Sequence, residues 1–290
     1  MRAPAHARSH PAPARAALPA PARPRGWGYH PRMISPTPLD RSIVLALDGH
    51  IARITLNRPD RHNALEAEDI ELFRSSLATV SDDEQIRVLI VTGAGSQTFC
   101  AGASLKQLNT GRMSGALFET LTDDLASLRV PTVCAVNGGV YGGGAEIALC
   151  CDFRIGVWTS RLSVPAARLG ICYPIGGLRR YVERLGLDTA RRLLIANEEL
   201  AADEMMGAGF LHRIVAPEDL DDQAEALARR IAGMAPLAVQ GMKRILGEIA
   251  AGKLDEAAAQ DTVTRCMDSE DLQEGLRAQR AGEEPHFQGR

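Results

Sequence analysis

The stretch PTVCAVNGGVYGGGAE (Pro131–Glu146) decides the fold. Its first half is a short apolar run without polar interruption, the pattern of a strand buried on both faces. Its second half is a run of glycines leading into Ala145-Glu146, from which a helix is predicted to begin in Gly142-Gly143-Gly144 and reach Cys151. A buried strand that ends in glycines and opens a helix is the joint of a parallel α/β unit. A second joint of the same kind stands upstream, where RVLIVT (Arg87–Thr92) is followed by FCAGASLK (Phe99–Lys106).

Working outward, Ser42–Leu47 and Ile51–Leu56 are β-branched runs flanking Asp48-Gly49, a hairpin signal. Leu65, Ile70, Phe73, Leu77 and Val80 recur at helical spacing, which predicts a helix over Glu66–Val80, and Leu117–Leu128 is predicted helical as well. Phe153–Val157 is a third buried strand. Strands alternating with helices imply parallel pairing through right-handed crossovers. After Pro217 only helices are expected, over Glu218–Gly233, Pro236–Ala250, Leu254–Met267 and Ser269–Ala281. The chain therefore divides into an N-terminal segment 1–40, an α/β core 41–217 and a helical region 218–290. The helical region needs a surface to pack against, and self-association supplies one. No repeat of solenoid period is visible.

Composition narrows the function. The formal charge of -3 and pI near 6.2 argue against a nucleic-acid partner recruited by bulk electrostatics. The charge is uneven: residues 1–39 carry six arginines, nine of the sixteen prolines and no acid, which leaves the body near -9. That Pro/Ala/Arg-rich start is expected to be disordered. It has three open readings: a tail, a transit peptide poor in helix-forming pattern, or sequence upstream of a start at Met33. No apolar run approaches the ~18 residues of a membrane span, and no secretory core is present. The six cysteines lie in apolar stretches without metal-ligand spacing, and no metal site is expected; buried reduced thiols of a cytoplasmic protein are the simplest expectation.

The chemistry is expected at the two joints. Unpaired N–H groups point outward where a strand gives way to a helix, and small side chains let a ligand approach the backbone. Two such joints meeting at one oxygen would form an oxyanion hole. Glu146 lies three residues beyond Gly143, on the same helical face. A glutamate in a first turn is also what the helix dipole alone favours, so Glu146 reads as either cap or catalyst. No G-x-G-x-x-G register fits, because Gly142 and Gly144 would need a small residue at Ile147, and no G-x-S-x-G is present.

The blocks ITLNRPDRHNAL (Ile54–Leu65), FCAGASLK, NGGVYGGGAEIALCCD (Asn137–Asp152) and DSEDLQEGLRAQR (Asp268–Arg280) together resemble the enoyl-CoA hydratase/isomerase, or crotonase, family. The resemblance spans about 43–287. It implies a spiral of ββα units with a C-terminal helical extension, trimers or dimers of trimers, and CoA thioester substrates, with coenzyme A arriving as part of the substrate and no other cofactor. It places the oxyanion N–H groups at Ala103 and Gly143 and the acid/base role at Glu146. It sets Arg61, His62, Ala64, Ala101, Ser104 and Leu105 along the CoA channel, with Lys106 near its phosphates. For Arg61, His62 and Lys106 an ordinary solvated surface is the competing reading.

One departure matters. Hydratases of this family carry a second glutamate about twenty residues after the first, following a proline; here Pro165 is followed by Ala166. Alanine cannot transfer a proton, and adding water to a double bond needs one group for the water and another for the α-carbon. Pro174 and Ser104 stand where some relatives carry aspartate. The segment Ala167–Pro174 resembles the branch containing methylmalonyl-CoA decarboxylases, which implies a catalytic Tyr173; packing is the competing reading. Arg168 could pair with a substrate carboxylate or with a surface acid.

Overall fold

A computed structural model describes residues 41–290. The readings of the Pro/Ala/Arg-rich segment 1–40 lie outside the described residues. The Asp48-Gly49 signal closes a hairpin: β1 (Ile43–Asp48) and β2 (Ile51–Leu56) pair antiparallel with Asp48 opposite Ile51, and Gly49 takes φ +56°. Helix α1 (Ala67–Asp82) begins on a reciprocal cap between Glu66 and Asp69 and buries Ile70, Phe73, Leu77 and Val80, the predicted stripe.

Three ββα units follow in succession. The first is β3 (Val88–Gly93), β4 (Thr98–Cys100), the short α2 (Leu105–Asn109) and α3 (Gly115–Ser127). The second is β5 (Thr132–Val136), β6 (Gly139–Tyr141) and α4 (Gly143–Cys150). The third is β7 (Phe153–Val157), β8 (Arg161–Ser163) and α5 (Ile175–Leu194), the last interrupted at Gly186. Then come β9 (Leu200–Ala201), α6 (Ala202–Gly207) and β10 (Arg213–Val215). The first strand of each unit joins a six-stranded sheet in the order β1-β2-β3-β5-β7-β10, parallel from β2 onward. The second, shorter strand joins a four-stranded sheet, β4-β6-β8-β9. This is the spiral that the resemblance implied.

Strand alternation divides the core. Leu89, Val91, Cys134 and Val136 face the larger cluster with α1, α3 and α4, whereas Val88, Ile90, Val133 and Ala135 face the opposite side. That opposite side is covered by α7 (Leu220–Ala232), which buries Leu220, Ala224, Ala228 and Ile231 at helical spacing. The helices α8 (Pro236–Ala250), α9 (Glu256–Met267) and α10 (Glu270–Ala281) end the chain, within one to two residues of their expected bounds. Helix α8 buries only Gly241 and exposes Met242, Leu246 and Ile249.

The expectation of uniformly buried thiols is corrected in part. Cys100, Cys134, Cys150 and Cys151 are buried, but Cys172 is exposed in the loop before α5 and Cys266 is half-buried on the peripheral α9.

The joints tolerate no added volume. A Cβ on Gly144 would collide with the backbone carbonyl of Cys100, which cannot rotate away as a side chain would. Gly144→Ala is therefore expected to lose about 3 kcal/mol, toward the upper end of overpacking effects, or about 8 °C in Tm at this chain length. Thermal unfolding followed by circular dichroism checks it; an unchanged Tm would mean that the two backbones part easily.

Candidate active site

The first joint is held from below by a turn of unusual backbone. His62 and Asn63 both take left-handed φ, 53° and 54°, a conformation that Asn and His tolerate better than most residues. Asn63 is buried and fixes the turn: its amide donates to the carbonyls of Ala94 (3.0 Å) and Thr98 (2.8 Å), and its Oδ1 accepts from Arg58 N at 3.0 Å. His62 Nδ1 lies 2.9 Å from Thr98 Oγ1. Leu65 then bridges to Ala103: Leu65 N donates to Gly102 O and Ser104 N donates to Leu65 O, both at 2.8 Å. In such a bridge the intervening residue turns its own N–H the other way. Ala103 N accordingly takes part in none of the turn and loop hydrogen bonds.

The second joint arrives on that side. Gly102 has φ +81°, and a Cβ there would run into Gly143 N. Bond lengths then keep Ala103 N, one peptide bond from Gly102 Cα, within about 6 Å of Gly143 N. Two donors each ~2.9 Å from a shared oxygen span no more than that. Gly143 opens α4 after Gly142, whose φ is +51° and which supplies no side-chain cap, so its N–H is a helix orphan. The Phe118 ring covers Gly143: a Cβ there would lie 2.5 Å from Cζ.

Glu146 is buried one turn into α4. Its Oε1 accepts from Arg180 Nη1 at 2.7 Å and from Thr122 Oγ1 at 3.1 Å. Arg180 also pairs with Asp123. Among the described residues no hydrogen bond occupies Oε2, which lies 3.0 Å from where a Cβ on Gly177 would be, beside the Tyr173 ring. Burial pushes the Glu146 carboxyl above its ordinary range, and the Arg180 charge and the Thr122 bond oppose that without cancelling it. Burial, helped by the Glu146 charge, likewise raises the Tyr173 phenol. Tyr173 meets Tyr181 edge-on with ring centroids 5.7 Å apart. Cys100, between the joints, is an inert thiol whose pKa burial pushes up to about 12.

The structure thus brings Ala101, Ala103, Gly143, Glu146 and Tyr173 together. Ala101 N donates to His62 O at 3.0 Å, so the His62–Ala64 turn borders the same joint. Arg61 is exposed and paired with Glu66 at 3.1 Å. Ser104 opens α2, and Leu105 and Lys106 are exposed on its first turn. Arg168 is exposed and forms no ion pair among the described residues, so the surface-acid reading finds no partner there; Ala166 is buried. Sequence reasoning missed Thr122, Arg180, Asn63 and Phe118. The Asn63 turn had a local signal, an Asn ready for left-handed backbone, whereas nothing in IGGLRRYVERLGL distinguishes Arg180 from its neighbour Arg179.

Arg180 and Glu146 have side chains only 12% and 3% exposed, so removing the cation leaves a buried carboxylate unpaired. Arg180→Met is expected to cost about 3 kcal/mol at about pH 8. The loss shrinks as pH falls, since Glu146 already titrates above its ordinary value and without Arg180 titrates higher still, becoming neutral in acid. Urea denaturation of both proteins at about pH 8 and pH 5 tests this; an equal loss at both would mean that the ion pair is not its source.

Comparison with known proteins fits this geometry. The family model for enoyl-CoA hydratase/isomerase matches residues 47–290. A short-chain-enoyl-CoA hydratase from Clostridium acetobutylicum is 32% identical over 244 residues, covering 82% of this chain and 94% of its own. A carnitinyl-CoA dehydratase from Proteus mirabilis is 32% identical over 263 residues, covering 87% of this chain and 100% of its own. Among solved structures, an enoyl-CoA hydratase from Bacillus anthracis superposes with a TM-score of 0.79 at 27% identity, covering 86% of this chain and 100% of its own. On a crotonase fold and with these matches, the chain belongs to the enoyl-CoA hydratase/isomerase family, whose members process acyl-CoA thioesters.

Proposed function

We propose that the N–H groups of Ala103 and Gly143 hold the thioester oxygen of an acyl-CoA while Glu146 moves a proton at the α-carbon. The observation that supports this reading is the approach of Gly102 to Gly143 N, which brings the Ala103 and Gly143 amides near one another. As the α-carbon loses or gains its proton, charge develops on the carbonyl oxygen, where each donor contributes about 3 kcal/mol. Glu146 acts through Oε2, because Oε1 is held by Arg180 and Thr122. The CoA moiety extends along Arg61, His62, Ala64, Ala101, Ser104 and Leu105, with Lys106 toward its phosphates. No cofactor beyond the substrate's own coenzyme A enters the reaction. The reading includes a cytoplasmic homotrimer or dimer of trimers, supported by the apolar face that α8 and α9 expose at Met242, Leu246, Ile249, Val263 and Met267.

A second reading is favoured by Tyr173 beside Glu146 and by Ala166: loss of carbon dioxide from a malonyl-type CoA ester. That reaction needs the enolate to be stabilised and the product protonated, and no second carboxylate. The two readings part on a substrate panel, one predicting consumption of crotonyl-CoA and the other release of carbon dioxide from methylmalonyl-CoA. On the first, Glu146→Gln slows deuterium exchange at the α-carbon of butyryl-CoA by at least about 100-fold while leaving ester binding intact. Gly102→Ala, folded by circular dichroism, loses a similar factor through the oxyanion site. Exchange that survives both substitutions would rule the assignment out.

A further inference from the structure

We propose that Glu119, on α3, supplies the second carboxylate that Ala166 lacks, taking a proton from the water that adds to the substrate double bond. The inference rests on the acyl-CoA reading above and extends it to the water-handling half of the reaction.

Gly115, Glu119 and Thr122 stand at i, i+4 and i+7 on α3 and so share one face. Each meets the site. The vacant Cβ position of Gly115 lies 3.2 Å from Pro174, Glu119 Oε1 accepts from Gly176 N at 2.9 Å, and Thr122 donates to Glu146. Phe118, adjacent in sequence, covers Gly143. Glu119 therefore lies, along α3, between the residue that covers Gly143 and the residue that donates to Glu146.

The two carboxylates also border the same step of backbone. A Cβ on Gly176 would lie 2.5 Å from Glu119 Oε1, and one on Gly177 would lie 3.0 Å from Glu146 Oε2. The Gly176-Gly177 pair is what leaves room for both. Their coupling is electrostatic as well: after burial, the Glu119 charge is among the influences that raise the Glu146 carboxyl, against the pull of Arg180.

In hydration the water oxygen bonds to the β-carbon and its proton passes to Glu119. The π pair shifts to the α-carbon, which takes a proton from the Glu146 carboxyl, and exchange with solvent returns the proton from Glu119 to Glu146. Nothing is oxidised or reduced.

The bland alternative is that Glu119 only caps α5 through Gly176 N. Glu119→Gln separates the two, because the amide oxygen can still accept that bond but cannot take a proton. We expect this variant to hydrate crotonyl-CoA at least about 100-fold more slowly than wild type, while butyryl-CoA α-exchange stays within about threefold and Tm is preserved. Adding Ala166→Glu to it should restore part of the hydration. Hydration within about threefold of wild type in Glu119→Gln overturns the proposal, as does a parallel loss of hydration, exchange and Tm, which would mark a structural cap. A wild-type protein that exchanges the α-proton without hydrating overturns the Glu119 assignment alone; one that does neither overturns the acyl-CoA reading with it.

Discussion

The close approach of two strand–helix joints is the constraint on which the rest depends. Gly102 lies against Gly143 N and Gly144 against the Cys100 carbonyl, so backbone meets backbone with no side chain between them. This contact brings the Ala103 and Gly143 N–H groups near one another. Hydrogen bonds made in preset directions cost little reorganisation as charge develops on a substrate oxygen, which is why backbone donors serve this purpose so well. The surrounding architecture maintains the approach: the first joint is bridged to Leu65, and the second is anchored through Gly142 N to Ser163 O at 3.0 Å. Both anchors join neighbouring elements, so the donors inherit the rigidity of the sheets.

Around that backbone frame, charge is arranged economically. A glutamate buried as deeply as Glu146 would hold its proton far above the ordinary range if isolated. Arg180 and Thr122 engage one of its oxygens and moderate the rise, leaving the other oxygen for chemistry. The arrangement spans three helices, since Thr122 lies on α3, Glu146 on α4 and Arg180 on α5. The surroundings of Glu146 are therefore linked to the packing of three ββα units on one another, and are as much a feature of the spiral as of any one motif.

How much of this was legible in the sequence follows from where each signal lives. Five strands of the six-stranded sheet were readable because the hairpin runs, RVLIVT, PTVCAV and Phe153–Val157 are long enough to be strands, whereas the three-residue β10 was not; the two joints were readable because glycine is concentrated where backbone must approach backbone. The four-stranded sheet was not. Its strands are two or three residues long and sit inside loops such as Asn137–Tyr141, where no period can declare itself. Helix α5 was left unassigned although Leu178, Tyr181 and Leu185 recur on one face, because two glycines open it and Gly186 breaks it. Candidate residues within a joint could be named from the sequence, because a joint is built from local sequence. Thr122 and Arg180 were missed because their roles arise only when separate units pack, and a side chain's partner across such a contact leaves no local mark.

The same distinction bears on the absent glutamate. On the proposed reading the oxyanion donors come from two particular joints, where the Gly102 backbone approaches Gly143 N. A proton-transferring carboxylate is less constrained: it needs a side chain long enough to reach a given volume from any element that borders it. Loop 166–174, α3 and the start of α5 all surround the Oε2 side of Glu146, with Pro174 against Gly115 and Gly176 against Glu119. Loss of the acid at the position after Pro165 therefore removes one route into that volume and leaves another. In this fold the backbone donors identify the shared chemistry, whereas the inventory of acids must be counted in space, across every helix that faces the site.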